Sequence, residues 1–201
     1  MLTNDKITEI YCIADDFCKE FVQEIKKLKK LPENGKKRRN RSCEMSDSEI
    51  MTVLLLFHFG TFKNFKHYCL HYIGIHLKKD FSKLLSYNRF VAIEHRVFVP
   101  VMFFMNTVCF GQCSGITFVD TTPIRVCHNK RIKRNKVFDG IAKTGKSTMG
   151  WFHGFKLHLV CNDKGELLSF CLTPGNVDDR DPQTLKTLTK KLFGKLFAYK
   201  G

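Results

Sequence analysis

The sequence is poor in acids. It has 19 Asp and Glu against 34 Lys and Arg, a formal charge of +15 and a pI near 9.5. That imbalance points to a polyanionic partner, nucleic acid before an anionic membrane. There is no CxxC among the nine cysteines, which rules against a paired-thiol zinc or redox site. An odd number of scattered cysteines suits a reduced, cytosolic chain that uses them as small apolar residues. No long apolar run is present. The longest, Val97 to Met105, contains Pro100, stops at Asn106 and is too short for a bilayer. Met-Leu-Thr-Asn-Asp-Lys at the start is too polar for a signal peptide. No internal repeat is visible.

What is present is 43% hydrophobic residues in 201, enough for one good core and a second small one. Ile7, Ile10, Tyr11, Ala14, Phe17, Phe21, Ile25 and Leu28 recur at helical spacing and predict a helix over 5–30, capped by Thr3 or Asn4. Residues 31–45 read as a linker with Lys36-Lys37-Arg38-Arg39-Asn40-Arg41, a run that stays solvated unless a polyanion meets it. Ser46-Asp47-Ser48-Glu49 is a capping box for a helix ending near Gly60. A helix over about 62–73 carries His67 and His71. With no third ligand evident, these read as exposed or half-buried histidines rather than a metal site. A further helix is expected from Asn88 to about Cys109, bent near Pro100.

After Gly111 the pattern turns to period two. Ile116-Thr117-Phe118-Val119 reads as a strand running into Asp120, with a polar turn at Thr121-Thr122-Pro123 and a second strand over Ile124–Cys127. Taken alone, Asp120 reads as an acid opening a turn more readily than as a ligand. From Arg125 to Lys146 there are eight Lys or Arg and one acid, Asp139. A strand over Phe155–Cys161, with Phe155, Leu157, Leu159 and Cys161 on one face, turns at Asn162-Asp163-Lys164-Gly165 into a partner strand to Thr173. Asp181-Pro182 starts a helix with Leu185, Leu188 and Leu192 in one stripe, ending at Gly194; Leu196 to Tyr199 reads as a short strand. Asp178, Asp179 and Asp181 read as caps of that helix rather than as ligands, since acids favour a helix N-terminus.

Gly140-Ile141-Ala142-Lys143-Thr144-Gly145-Lys146-Ser147 fits the P-loop formula. That formula needs a strand before it and a helix after it, and neither pattern is there, so no nucleotide is expected.

Taken together, several fragments resemble the bacterial insertion-sequence transposases of the DDE type, most closely the 982 group of insertion sequences. Ser46-Asp47-Ser48-Glu49-Ile50-Met51 and Phe65-Lys66-His67-Tyr68 look like its N-terminal region. Phe118-Val119-Asp120, Gly145-Lys146-Ser147, the stretch Gly150 to His158 and the stretch Thr173 to Arg180 look like its core. The resemblance implies an α/β chain: a helical N-terminal region over 1–111, expected to bind DNA, then an incomplete RNase H-like core over 112–201. It implies carboxylates that hold Mg²⁺, terminal inverted repeats as the DNA partner, a homo-oligomer in the intact family, and a cytoplasmic, nucleoid-associated place in a bacterium. Asp120 matches the first acid. The second belongs to a motif Phe-Ala-Asp-Lys-Gly, where this sequence has Phe197-Ala198-Tyr199-Lys200-Gly201, and the third would lie beyond Gly201. The expectation is a truncated, catalytically inactive chain that keeps DNA affinity through Lys36, Lys37, Arg38, Arg39, Arg41, Arg125, Lys130, Arg131, Lys133, Arg134 and Lys136. The alternative is a DNA-binding remnant that interferes with the intact transposase. In either case Leu196–Tyr199 would be an exposed sheet edge and a source of poor solubility.

Overall fold

The structure, a computed structural model, describes residues 2–28, 44–81 and 83–198. The chain divides into two units, Met1–Asn106 and Thr107–Gly201.

The first unit is helical. Helix α1, Asn4–Leu28, turns Ile7, Ile10, Ala14 and Cys18 inward, and its first free N–H groups meet Thr3. Helix α2, Asp47–Phe59, begins with the full capping box: the Glu49 N–H donates to Ser46 Oγ, and the Ser46 N–H donates back to Glu49 Oε2. Gly60 ends it with extended backbone.

The next helical stretch differs from the sequence reading. It starts at Phe65, where Asn64 accepts from the His67 N–H, and runs past Gly74. Short α3 (Phe65–His67) and α4 (Gly74–His76) flank a wide π segment, Tyr68–Ile73. The wider turn brings Tyr68, Tyr72 and Ile73 all into the core, where the Tyr68 hydroxyl donates to the Val53 carbonyl.

Helix α5, Tyr87–Ile93, and α6, Phe98–Phe104, are joined by a 3₁₀ turn at Glu94–Val97. The break precedes Pro100 because the proline ring displaces the carbonyl four residues earlier, at Arg96. A π segment, Met105–Cys109, follows. Tyr87–Cys109 is, among the described residues, the one helical stretch long and apolar enough to cross a bilayer. It contains Arg89, Glu94 and Arg96, while Phe90, Ile93, Val97 and Phe104 belong to this unit's core.

The second unit is a five-stranded sheet with one helix. Strand β1 spans Ile116–Cys127, β2 Lys143–Ser147, β3 Gly150–Asn162, β4 Leu167–Pro174 and β5 Lys195–Ala198; helix α7, Pro182–Thr189, lies between β4 and β5. Strand β3 is central. On one side it pairs antiparallel with β1; on the other, β2 takes its first part and β4 its second. Strand β5 returns parallel to β1.

Two expectations are corrected here. Thr121-Thr122-Pro123 is not a turn: β1 runs through it as a single strand, so Asp120 sits mid-strand rather than at a lip. The pairing with β5 ends at Val119, and a strand paired on one side only can take a proline, which has no N–H to give. Helix α7 stops at Thr189, so Leu192 lies in the turn that leads through Gly194 to β5. Asp181 caps it, accepting from the Thr184 N–H, with Pro182 in the first turn, as the sequence suggests.

Gly145, Gly154 and Gly175 meet where β2 hands over to β4 along β3. The Gly175 N–H donates to the Gly154 carbonyl at 2.9 Å, and a Cβ on Gly145 would run into the carbonyl of Gly175. Only hydrogen fits there, which is why glycines recur in these fragments.

Candidate active site

Asp120 stands on β1 opposite Leu159 of β3. Its side chain is exposed, and its Oδ1 accepts from the Thr121 N–H at 2.8 Å. The last register pair with β5 is Val119 with Ala198. The next residues in sequence are Asp120 and Tyr199, and Tyr199 lies outside the described residues. Among those residues, no group of three or more His, Cys, Asp or Glu is placed to hold a metal ion. One exposed carboxylate does not make a two-metal site, which needs bridging carboxylates. The described donor set therefore does not fit such a centre.

The two faces of β3 behave differently. Phe155, Leu157, Leu159 and Cys161 do share a face, yet only Phe155, under the edge of Phe138, is buried. That apolar face continues across the sheet as Phe118 and Phe197, which stack at 5.7 Å, and both are half-exposed. The opposite face, with Lys156, His158, Val160 and Asn162, is the buried one.

On that buried face the residues around the β4–α7 connection are tied together by polar contacts. Lys156 Nζ donates to the Val177 carbonyl at 2.8 Å and to Asp179 Oδ1 at 2.9 Å. His158 bridges three strands, with Nδ1 2.9 Å from Thr121 Oγ1 and Nε2 2.8 Å from Thr173 Oγ1. Burial holds the His158 imidazole below its ordinary pKa; the charges of Asp179 and Asp181 pull it up, and Lys156 pushes it down. The Thr184 N–H and hydroxyl hold the Asp181 carboxyl below its usual range. Asp179 is thus not a helix cap: it is the partner of Lys156. Asp178 accepts from the Arg180 N–H in a local turn. Sequence reading missed Lys156, His158 and Thr173, because alternation with apolar residues makes a strand's polar positions look solvent-facing. The available signal was that all three fall in the fragments that carried the resemblance.

The basic residues divide in two. Lys36, Lys37, Arg38, Arg39 and Arg41 lie outside the described residues. Arg125 is exposed on β1 beside a bulge. Lys130, Arg131, Lys133, Arg134 and Lys136 are exposed on and just after a 3₁₀ turn, Asn129–Arg134, rather than on an irregular loop. The turn is fixed at its start, where His128 Nδ1 accepts from the Lys130 N–H and Asn129 Nδ2 donates to the Trp151 carbonyl. Among the described residues none of these cations forms an ion pair. The P-loop-like stretch does not form a phosphate cradle: Lys143–Ser147 is β2, which turns back directly into β3.

No curated protein and no solved structure matches the chain. Residues 110–201, which contain the whole sheet and α7, match the family model described as Transposase DDE domain, and a DDE-type transposase is the kind of protein this similarity supports.

Proposed function

We propose that the chain is the DNA-gripping part of a bacterial insertion-sequence transposase of the 982 group, and that with these residues it holds DNA without cutting it. The carrying observation is the row of exposed cations on and just after the Asn129–Arg134 turn, none of them ion-paired among the described residues, inside the unit that matches the DDE domain. The strand arrangement supports an RNase H-like core: β1, β3 and β4 run antiparallel to one another in succession, with short β2 added on β3, and a helix then leads to β5, parallel to β1. The partner is the element's terminal inverted repeats, met by phosphate contacts that displace counterions. Transposase DDE domains generally depend on divalent metal, and Asp120 matches the first ligand position. The second position is Tyr199, and phenols ionise only near about pH 10, so a tyrosine is a poor Mg²⁺ ligand at neutral pH. A DNA-binding remnant that competes with the intact transposase is the second reading, and Tyr199 favours it.

The test is anisotropy of a labelled duplex titrated with the chain at several salt concentrations. Affinity falls steeply between about 50 and 200 mM salt. Changing Lys130, Arg131, Lys133, Arg134 and Lys136 to glutamine reduces the slope by about 0.9 for each phosphate no longer neutralised. A flat salt dependence contradicts the proposal.

A further inference from the structure

The single tryptophan of the chain is not in a core. Trp151 is 63% exposed near the start of β3, and Met149, in the turn before it, is 79% exposed. Directly across the ladder from Trp151 is Lys146 of β2, also exposed; residues paired this way project from the same face of a hairpin. The Trp151 carbonyl accepts from Asn129 Nδ2 at 2.9 Å, which ties the basic 3₁₀ turn to the strand that bears the indole. A large flat apolar side chain left open to water beside an exposed lysine and tied to a basic turn, with no ion pair on these cations among the described residues, has the composition of a surface that stacks bases and neutralises phosphates.

We infer that the tip of the β2–β3 hairpin binds single-stranded DNA, with one unstacked base laid on the indole of Trp151 and the neighbouring phosphates held by Lys146 and the cations of the 3₁₀ turn. This rests on the DNA-binding reading above and adds a preference for unpaired bases. The cations favour a polyanion over an apolar peptide as occupant, and a paired duplex buries its base faces in the stack, where an indole cannot reach them. Trp151 and Leu159, the residue opposite Asp120, are eight residues apart on β3, roughly 26 Å at a rise of about 3.3 Å per residue. The base held at Trp151 is therefore not the nucleotide at Asp120.

The experiment compares the full chain on three labelled DNAs: a blunt duplex, the same duplex with a short single-stranded overhang, and that overhang made abasic. Trp151 emission and anisotropy are read together. The overhang binds about 5- to 150-fold tighter than the blunt duplex, the range expected for one stacked base, and quenches the emission. The abasic overhang does neither. Trp151→Phe keeps part of the preference. Trp151→Leu, which keeps apolar bulk without a π face, loses it while retaining the salt-dependent affinity for blunt duplex. Equal binding of overhang and blunt duplex with unchanged emission overturns the stacking inference and leaves DNA binding standing. Absence of binding to all three DNAs overturns both. A preference that survives in Trp151→Leu also overturns it, since the indole would not be the stacking surface.

Discussion

Replacing Lys156 with methionine removes one buried ammonium from the second unit and keeps the aliphatic stem. The Lys156 side chain is 10% exposed and gives two hydrogen bonds, one to the Val177 carbonyl and one to Asp179. Hydrogen bonds to a charged group contribute about 1.5–3 kcal/mol, and the half-buried Val177 carbonyl left without its donor adds at most about 1–3 kcal/mol, the cost of a fully buried one. These overlap, and the lysine's own desolvation is relieved, so the net loss is about 2–4 kcal/mol. Asp179 is 55% exposed and returns to water, so Asp179→Asn costs about 1 kcal/mol or less, the scale of an exposed pair. Amide hydrogen exchange in β3 and β4 reads this unit by itself. Protection there falls by about 30- to 1,000-fold in Lys156→Met, at about 1.4 kcal/mol per factor of ten, and much less in Asp179→Asn. Equal, small effects in the two variants would refute the claim that Lys156 holds the β4–α7 connection onto the sheet.

The remaining expectations concern the same junction. His158 has a folded pKa below its unfolded one, so its contribution is complete above the unfolded value near 6.5 and is lost as pH falls below it. Urea midpoints therefore drop between pH 7 and pH 5, and His158→Gln, which can still bond Thr121 and Thr173, flattens that slope; an unaltered slope would mean other groups carry it. Gly145→Ala forces a methyl against the carbonyl of Gly175, backbone against backbone, and lowers stability by at least about 1–3 kcal/mol. A thermal midpoint unchanged by that substitution would show that the junction yields.

Much of the architecture is legible in the chain because local chemistry and tertiary packing agree. Ser46 and Glu49 satisfy each other's N–H groups whatever surrounds them, and Asp181 accepts from the N–H and hydroxyl of Thr184 three residues on. Asn162 likewise turns β3 into β4 by accepting from the N–H groups of Lys164 and Glu166. The misreadings arise where partners distant in sequence decide. Thr121-Thr122-Pro123 has turn composition, but pairing with Leu157 and its neighbours keeps it extended. Leu157 and Leu159 have the pattern of a core face, yet the face that is buried carries Lys156 and His158, whose partners come from β1, β4 and the β4–α7 connection. Of the candidate site, Asp120 and the cations could be named from sequence. The Lys156–Asp179 and Thr121–His158–Thr173 contacts could not, since no periodicity reports hydrogen bonds between strands.

The central claim is that the chain holds DNA and does not cut it, and nicking of a supercoiled plasmid in the presence of Mg²⁺ or Mn²⁺ tests it most directly. At protein concentrations where gel retardation shows the DNA bound, the chain leaves the plasmid supercoiled, and Asp120→Asn behaves identically. Tyr199→Asp by itself recovers partial metal binding and no cleavage, since the resemblance to DDE transposases implies three acidic ligands and this change supplies only the second. Metal-dependent nicking by the unaltered chain that disappears in Asp120→Asn would contradict the account, and Asp178 or Asp179 would then be the first residues to examine as the missing ligand.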